Sequence, residues 1–471
     1  MLGAAIYGGF FLYKINSLSN RISIDNKPIS LMNTLGSIIK SVDNTTELKK
    51  SPDGRINILL LGIAGKGKPG QNLTDTIMIA SINLKTNQVA LMSLPRDFYI
   101  ASSEIGIQTK INSIYQIGLN ETKNDSEAIN PLISSIKEVT SLDLHYYTIL
   151  NFDGFKKIID SIGGVNISNE RDIYDARYPG PNYSYEVFEL KKGFQHLDGE
   201  AALKYARERH SDPDGDFGRS KRQQQIIQAV KNKIFSTKTL FDINTLNNLF
   251  NALGDNIKTN VSPEELSSFF ELTKKLDTVN VTNVAVDAWN KDSLLKVSHI
   301  FYGETAAFIL VPRVGNYSEI QDLAQNIFDL NKIKRRREEI IKEDASIILI
   351  NKSQNDTVAN NIKKLLNENL VYKNVSIIND SSVRKFEEKT FVYDIIGGTK
   401  PFTLDELATR LPATVSYSLP EKYKNISEKN QPDLILVIGK DLISRYNIVE
   451  DSIEDFKKAQ DDQEYFINPT K

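Results

Sequence analysis

The chain has 471 residues, 40% hydrophobic and 25% charged, with 58 basic against 60 acidic side chains and a formal net charge of −2. That length allows two or three domains with a sizeable core, and the charge balance excludes bulk nucleic-acid binding, which needs a net basic domain. The absence of cysteine excludes disulfides, thiolate metal sites and cysteine nucleophiles, and four scattered histidines (His145, His196, His210, His299) argue against a zinc centre or a Ser-His-Asp triad.

Residues 1–14, MLGAAIYGGFFLYK, read as a partial membrane anchor. The apolar run is shorter than the roughly 20 residues that span a bilayer, and Lys14 and Arg21 follow it instead of preceding it. A truncated signal-anchor is the expectation, with a signal-peptide core or a buried helix as alternatives. Residues 15–50 are polar, rich in Ser, Asn and Thr, and read as a stalk or linker.

Continuous apolar runs predict buried strands at Ile56–Ile63, Thr76–Ile82 and Gln88–Ser93. Helices are expected at 128–140 and 153–162, the second ended by Gly163-Gly164, with strands at 146–151 and 165–167. The stretches 242–275 and 316–344 read as mainly helical, the latter ending in the charge run KIKRRREEIIKED, a solvated helix end or linker that marks a boundary. Beyond it, strands at 346–350, 375–378, 390–393 and 434–438 alternate with helices at 357–367 and 404–411, forming a smaller α/β unit. The expected organisation is therefore anchor 1–14, stalk 15–50, a catalytic domain over 51–340, an α/β domain over 341–447 and an acidic tail over 448–471.

One motif misleads. Gly62 to Lys68, GIAGKGK, satisfies the GxxxxGK of a phosphate-binding loop, but Pro69 follows where that loop needs a hydroxyl for Mg²⁺. The sequence then continues into a strand pattern instead of a helix, so nucleotide binding is not expected.

The strongest chemical signal lies between Ala201 and Gln223, which holds Arg207, Arg209, Arg219 and Arg222. Guanidiniums grip phosphate bidentately. Arg219, Arg222 and Gln223 stand at i, i+3 and i+4, so one helix face is expected to carry all three. A chain that becomes extended after Ala206 would put Arg207 and Arg209 on one side, and Asp216 is placed ahead of the second helix as its cap. The competing reading is a salt-bridged helix pair involving Glu200, Glu208, Asp212 and Asp214. Asp75 before the second strand, Arg96 and Asp97 after the third, and Lys110 in TKIN complete the polar set. Whether these loops share a sheet edge depends on strand pairing.

Taken in order, INILLLGI, NLTDTIMIASI, SLPRDFYI, TKINSIYQIG, ILNFDGFKKIIDSIGGVNIS, LKKGFQHLDGEAALKYARER and DGDFGRSKRQQQII resemble the LytR-CpsA-Psr family over residues 55–235. The match is more diffuse to 340, and residues 345–445 are similar to the small C-terminal domain often attached to such proteins. The resemblance implies an α/β core whose central sheet and helices enclose an apolar lipid pocket, in a single-pass membrane protein with an extracytoplasmic catalytic domain. It implies a phosphotransferase that joins a polyprenyl-diphosphate-linked glycopolymer, such as a teichoic acid, to peptidoglycan. By the same resemblance Arg96, Lys110, Arg207, Arg209, Arg219 and Gln223 hold the diphosphate, Asp75 helps bind Mg²⁺ and Asp216 is a further site carboxylate. The alternative is a polyprenyl-(di)phosphate-binding protein or lipid pyrophosphatase without ligase turnover. Family members commonly carry an aspartate after the first strand where this chain has Ala64, which implies weaker Mg²⁺ binding.

Overall fold

The computed structural model describes residues 46–180, 184–208, 212, 215–234, 254, 256–288, 292–302, 305–378, 386–447 and 450–451. The apolar N-terminal segment, nearly all of the expected stalk, and the tail beyond Asp451 lie outside them. Among the described residues no helix is long and apolar enough to cross a membrane. The described residues pack as two units, those up to 137 and from 142 to 285 in one, 138–141 and those from 286 onward in the other.

In the first unit, β1 (Arg55–Ile63), β2 (Thr74–Asn83) and β3 (Gln88–Leu94) lead to a small hairpin, β4 (Tyr99–Ser102) and β5 (Ile107–Lys110). Helices α1 (Ile114–Thr122) and α2 (Asn130–Thr140) come next, then β6 (Tyr146–Asn151), α3 (Phe152–Ser161) and β7 (Val165–Asn169). A second hairpin, β8 (Ile173–Pro179) and β9 (Tyr185–Leu190), precedes β10 (Gly193–Leu197), α4 (Gly199–Arg207) and α5 (Gly215–Ile234). The unit closes with β11 (Ile257–Thr259), α6 (Pro263–Lys275) and β12 (Asp277–Ala285).

Six strands form one mixed sheet in the order β11-β6-β1-β2-β3-β12. The central β1 runs parallel to β6 and antiparallel to β2. Ile56, Leu59 and Leu61 are buried, which is why this strand reads as an unbroken apolar run. Ile63 pairs with Thr74, and Ile77 with Leu94. One sheet edge therefore collects the ends of β1, β3 and β6 and the start of β2.

Two polar caps start the helices that flank this edge. The Asn151 side chain accepts from the Gly154 N–H at 2.8 Å, and Asp198 accepts from Ala201 N–H at 2.8 Å. Gly199, whose N–H donates to Asp160 Oδ1 at 2.7 Å, sits so close to α3 that a Cβ there would run into the Lys156 carbonyl. The Asp-Gly pair in HLDGEAAL is thus one capping residue and one close-approach residue.

Several expectations need correction. The helix expected over 128–140 is α2, which starts two residues later, after a short helix at Asp125–Ala128; Pro131 has no N–H and fits only a first turn. Among the described residues of 242–275, Ile257–Thr259 is a strand paired with β6, ahead of α6. The β4–β5 and β8–β9 hairpins were not anticipated. The P-loop-like segment joins two antiparallel strands, so it does not lead into a helix as a phosphate-binding loop does.

The second unit begins with a hairpin, β13 (Leu295–Tyr302) and β14 (Thr305–Pro312), then α7 (Ser318–Gln325) and α8 (Leu330–Glu343). The expected single helical stretch is these two helices, and the charge run lies on α8, where Arg337 pairs with Asp292 at 3.2 Å and Arg336 with Glu406 at 3.1 Å. The strands β15 (Ser346–Asn351), β16 (Asn374–Ile378), β17 (Phe391–Asp394), β18 (Thr414–Ser416) and β19 (Leu434–Ile438) form a sheet in the order β16-β15-β19-β17-β18. Its pairs are parallel except β17 with β19, and its apolar strands β15 and β19 form the core of an α/β layer.

Candidate active site

A cleft opens at the sheet edge described above. It is lined by Asp75 and Thr76 of β2, Arg96 after β3, Phe152 of α3, Arg207 of α4, and Arg219 and Gln223 of α5, with Glu208 and the β8 residues Asp175, Tyr178 and Pro179 opposite. The antiparallel pairing of β2 with β3 is what makes the first group possible. It brings the chain entering one strand beside the chain leaving the next, and Arg96 Nη1 lies 3.3 Å from Asp75 Oδ1.

Arg96 is held from both sides. Its Nε lies 3.5 Å from Asp97 Oδ2, and the other oxygen of buried Asp97 takes Lys110 Nζ at 2.7 Å. Lys110 is therefore joined to the site through Asp97 and does not line the cleft.

Arg207 ends α4. The helix runs through it, and the chain becomes extended only at Glu208 (φ −59°, ψ 137°), one residue later than the sequence suggests. Its guanidinium lies between two rings, 4.6 Å from the Phe152 centroid and 5.6 Å from that of Tyr178. Nη1 also donates to the Tyr178 hydroxyl at 3.2 Å. Ring faces against a guanidinium help to fix its plane.

On α5, Arg219 and Gln223 face the cleft, and the Gln223 amide donates to Thr76 Oγ1 at 3.0 Å and to the Ala206 carbonyl at 3.3 Å. Arg222 does not join them, contrary to the expected shared face. It is buried on the inner side, where Nε donates to the Tyr205 carbonyl at 3.0 Å and the terminal nitrogens reach the Asp212 carboxylate and the Glu208 carbonyl. Arg171 adds a second cation, 3.4 Å from Asp212. A Cβ at Gly218 would overlap the Asp212 carboxylate, so the glycine of DFGR makes room for this cluster. Arg222 is a staple that ties Glu208 and Asp212 to α5.

Of the remaining expected site residues, Arg209 lies outside the described residues. Asp216 falls inside α5, which begins at Gly215, so it is not the residue preceding the helix; its side chain lies outside the described set. Thr76, Phe152, Asp175, Tyr178 and Pro179 line the cleft without having been singled out, as does Glu208, expected only as a salt-bridge partner.

Glu208 Oε2 lies 3.4 Å from Arg222, which offsets its charge. Arg96, Arg207 and Arg219 then outnumber Asp75 and Asp175, with neutral donors at Gln223 and Tyr178. Such an arrangement can grip a phosphate or diphosphate and stabilise charge building on its oxygens. Among the described residues no group of three or more acidic or histidine side chains could hold a metal ion, and buried Ala64 offers no side-chain oxygen. Asp75 alone fits Mg²⁺ only in the mode where one carboxylate shares the ion with substrate phosphate oxygens.

A Bacillus cereus protein named polyisoprenyl-teichoic acid–peptidoglycan teichoic acid transferase TagU is 30% identical over 264 residues, covering 55% of this chain and 76% of its own length. An Enterococcus faecalis protein of the same name is 28% identical over 240 residues, covering 49% and 72%. Among solved structures, B. subtilis TagV aligns with 59% of this chain and 99% of its own at a TM-score of 0.44 and 23% identity. The structure described as TagT bound to LI-WTA aligns with 61% and 95% at 0.41 and 21%. The model of the LytR_cpsA_psr family matches residues 27–307, more than half of the sequence, and the chain belongs to that family.

Proposed function

We propose that the protein is a membrane-anchored, extracytoplasmic phosphotransferase that moves a glycopolymer from a polyprenyl diphosphate onto peptidoglycan through a phosphodiester. The observation that carries this reading is the meeting of Arg96, Arg207, Arg219 and Gln223 with Asp75 in one cleft. The names of the TagU relatives support the substrate class.

In the reaction, a peptidoglycan sugar hydroxyl attacks the phosphorus attached to the glycopolymer. The new oxygen–phosphorus bond forms as the bond to the bridging oxygen breaks. Polyprenyl phosphate leaves, and the hydroxyl proton passes to a carboxylate of the site, Asp75 or Asp216, or to water. Arg96, Arg207 and Arg219 hold the non-bridging oxygens and offset the charge that grows on the leaving phosphate. Gln223, fixed by Thr76 and Ala206, sits beside them on α5. Arg209 and, through Asp97, Lys110 extend the cationic surroundings. Asp75 would hold Mg²⁺ arriving with the diphosphate; a bound ion there supplies charge neutralisation and polarises the phosphoryl group.

The test uses the full chain in detergent with a polyprenyl-diphosphate disaccharide, peptidoglycan oligomers and Mg²⁺, with products followed by mass spectrometry. Transfer that disappears in Arg219→Ala supports the reading. Release of polyprenyl phosphate without acceptor coupling would identify a lipid pyrophosphatase, and retention of intact lipid with no product would identify a binding protein.

A further inference from the structure

The β8–β9 hairpin carries a bulge. Asp175 pairs with Phe188 and Tyr178 with Glu186, so two residues of β8 oppose one of β9. In a regular strand, residues three apart point to opposite faces. Here Asp175 and Tyr178 are both buried, 4% and 2% exposed, while Ala176 and Arg177 between them face solvent. The Asp175 side chain holds the irregularity by accepting from the Arg177 N–H at 2.8 Å. Bulges re-aim side chains next to active sites. This one delivers a phenol to the guanidinium of Arg207.

The bond between these two groups runs one way. Arg207 Nη1 donates to the Tyr178 oxygen at 3.2 Å, because a guanidinium has donors and no acceptor. The phenol's own O–H is left to donate elsewhere, and the residue lines the cleft. Burial pushes the phenol up to about 12, against the opposing pull of Arg207. The oxygen keeps its proton at neutral pH.

We propose that Tyr178 is a further ligand of the diphosphate, donating its O–H to the phosphate oxygen gripped by Arg207, and that Asp175 is the positioning residue whose turn presents it. The inference rests on the transferase reading of the cleft. It adds a neutral donor to the cationic set, aimed at the charge that accumulates during transfer.

The test compares kcat/KM of the full chain with farnesyl-diphosphate-linked N-acetylglucosamine as donor and peptidoglycan oligomers as acceptor. Tyr178→Phe keeps the ring beside Arg207 and its packing on Phe188, 5.6 Å between centroids. It should lower kcat/KM about ten- to hundred-fold, the range for a hydrogen bond to a charged group, without lowering the melting temperature. Asp175→Ala should show the same loss, with no further loss in the double variant, and Asp175→Asn, which still offers a side-chain oxygen to Arg177, should recover most of it. Wild-type kcat/KM in Tyr178→Phe while Arg207→Lys is crippled would overturn the proposal and leave the transferase reading standing. Full activity in Arg207→Lys as well would instead sink that reading. A stable Asp175→Asn as inactive as Asp175→Ala would overturn the positioning role.

Discussion

Replacing Arg222 with methionine should cost the first unit more stability than replacing the cleft residue Arg219. Arg222 is 7% exposed, and the Glu208 and Asp212 side chains it pairs with are 0% and 1% exposed. Its removal deprives two buried carboxylates of their shared guanidinium, and Arg171, 3.4 Å from Asp212, is itself partly in solvent. Breaking a buried pair by removing one partner costs about 3–5 kcal/mol. For a domain of this size each kcal/mol lowers the melting point by about 2–4 °C, so the expected fall is about 6–20 °C. Differential scanning calorimetry of the full chain reads it directly. The triple variant Arg222→Met, Glu208→Leu, Asp212→Leu should regain much of the loss, since a well-packed apolar replacement removes the stranded charges. A single variant melting within about 2 °C of wild type would refute the staple.

Arg219→Ala should behave in the opposite way, losing about 2–4 kcal/mol of transition-state stabilisation in the transfer assay with a far smaller change in melting temperature. Gly199→Ala places a methyl against the Lys156 carbonyl and should destabilise by about 1–3 kcal/mol, measured by urea unfolding. His145 is held below its ordinary value by burial and accepts from the Asn57 N–H through Nδ1 at 3.0 Å. The native state therefore binds its proton less readily than the unfolded chain. Its contribution is intact above the ordinary histidine value of 6.5 and is lost as pH falls from there toward the depressed native value; the melting temperature should vary less with pH across that interval in His145→Gln. Lys68 pairs with Asp153 at 2.6 Å on a half-exposed surface, so Lys68→Met should change stability by less than about 1 kcal/mol, and Mg·ATP should leave the melting temperature of either protein unmoved.

Much of the core was readable because burial on both faces leaves no polar alternation: INILLLGI and LILVI could only be inner strands. The Arg219–Gln223 spacing was readable too, since i and i+4 lie about 40° apart on a helix. Arg222 failed the same rule for a geometric reason. It stands about 100° from Gln223, enough to turn it from the cleft into the interior. The partnership of Arg96 with Asp75 depended on strand pairing between residues 21 apart in sequence, which no local pattern records. Asp175 and Tyr178 were invisible because a bulge breaks the period-two pattern on which strand reading relies.

Helix α5 has one further consequence. Its Arg219 and Gln223 touch the cleft while Arg222, one residue from Gln223, binds Glu208 and Asp212 in the interior. A genetic screen for loss of transfer would recover changes in either group, and growth temperature would separate them. Lesions at Arg222, Asp212 or Gly218 should be heat-sensitive, rescued by cooling or by suppressors elsewhere in the core. Lesions at Arg219 should be defective at every temperature.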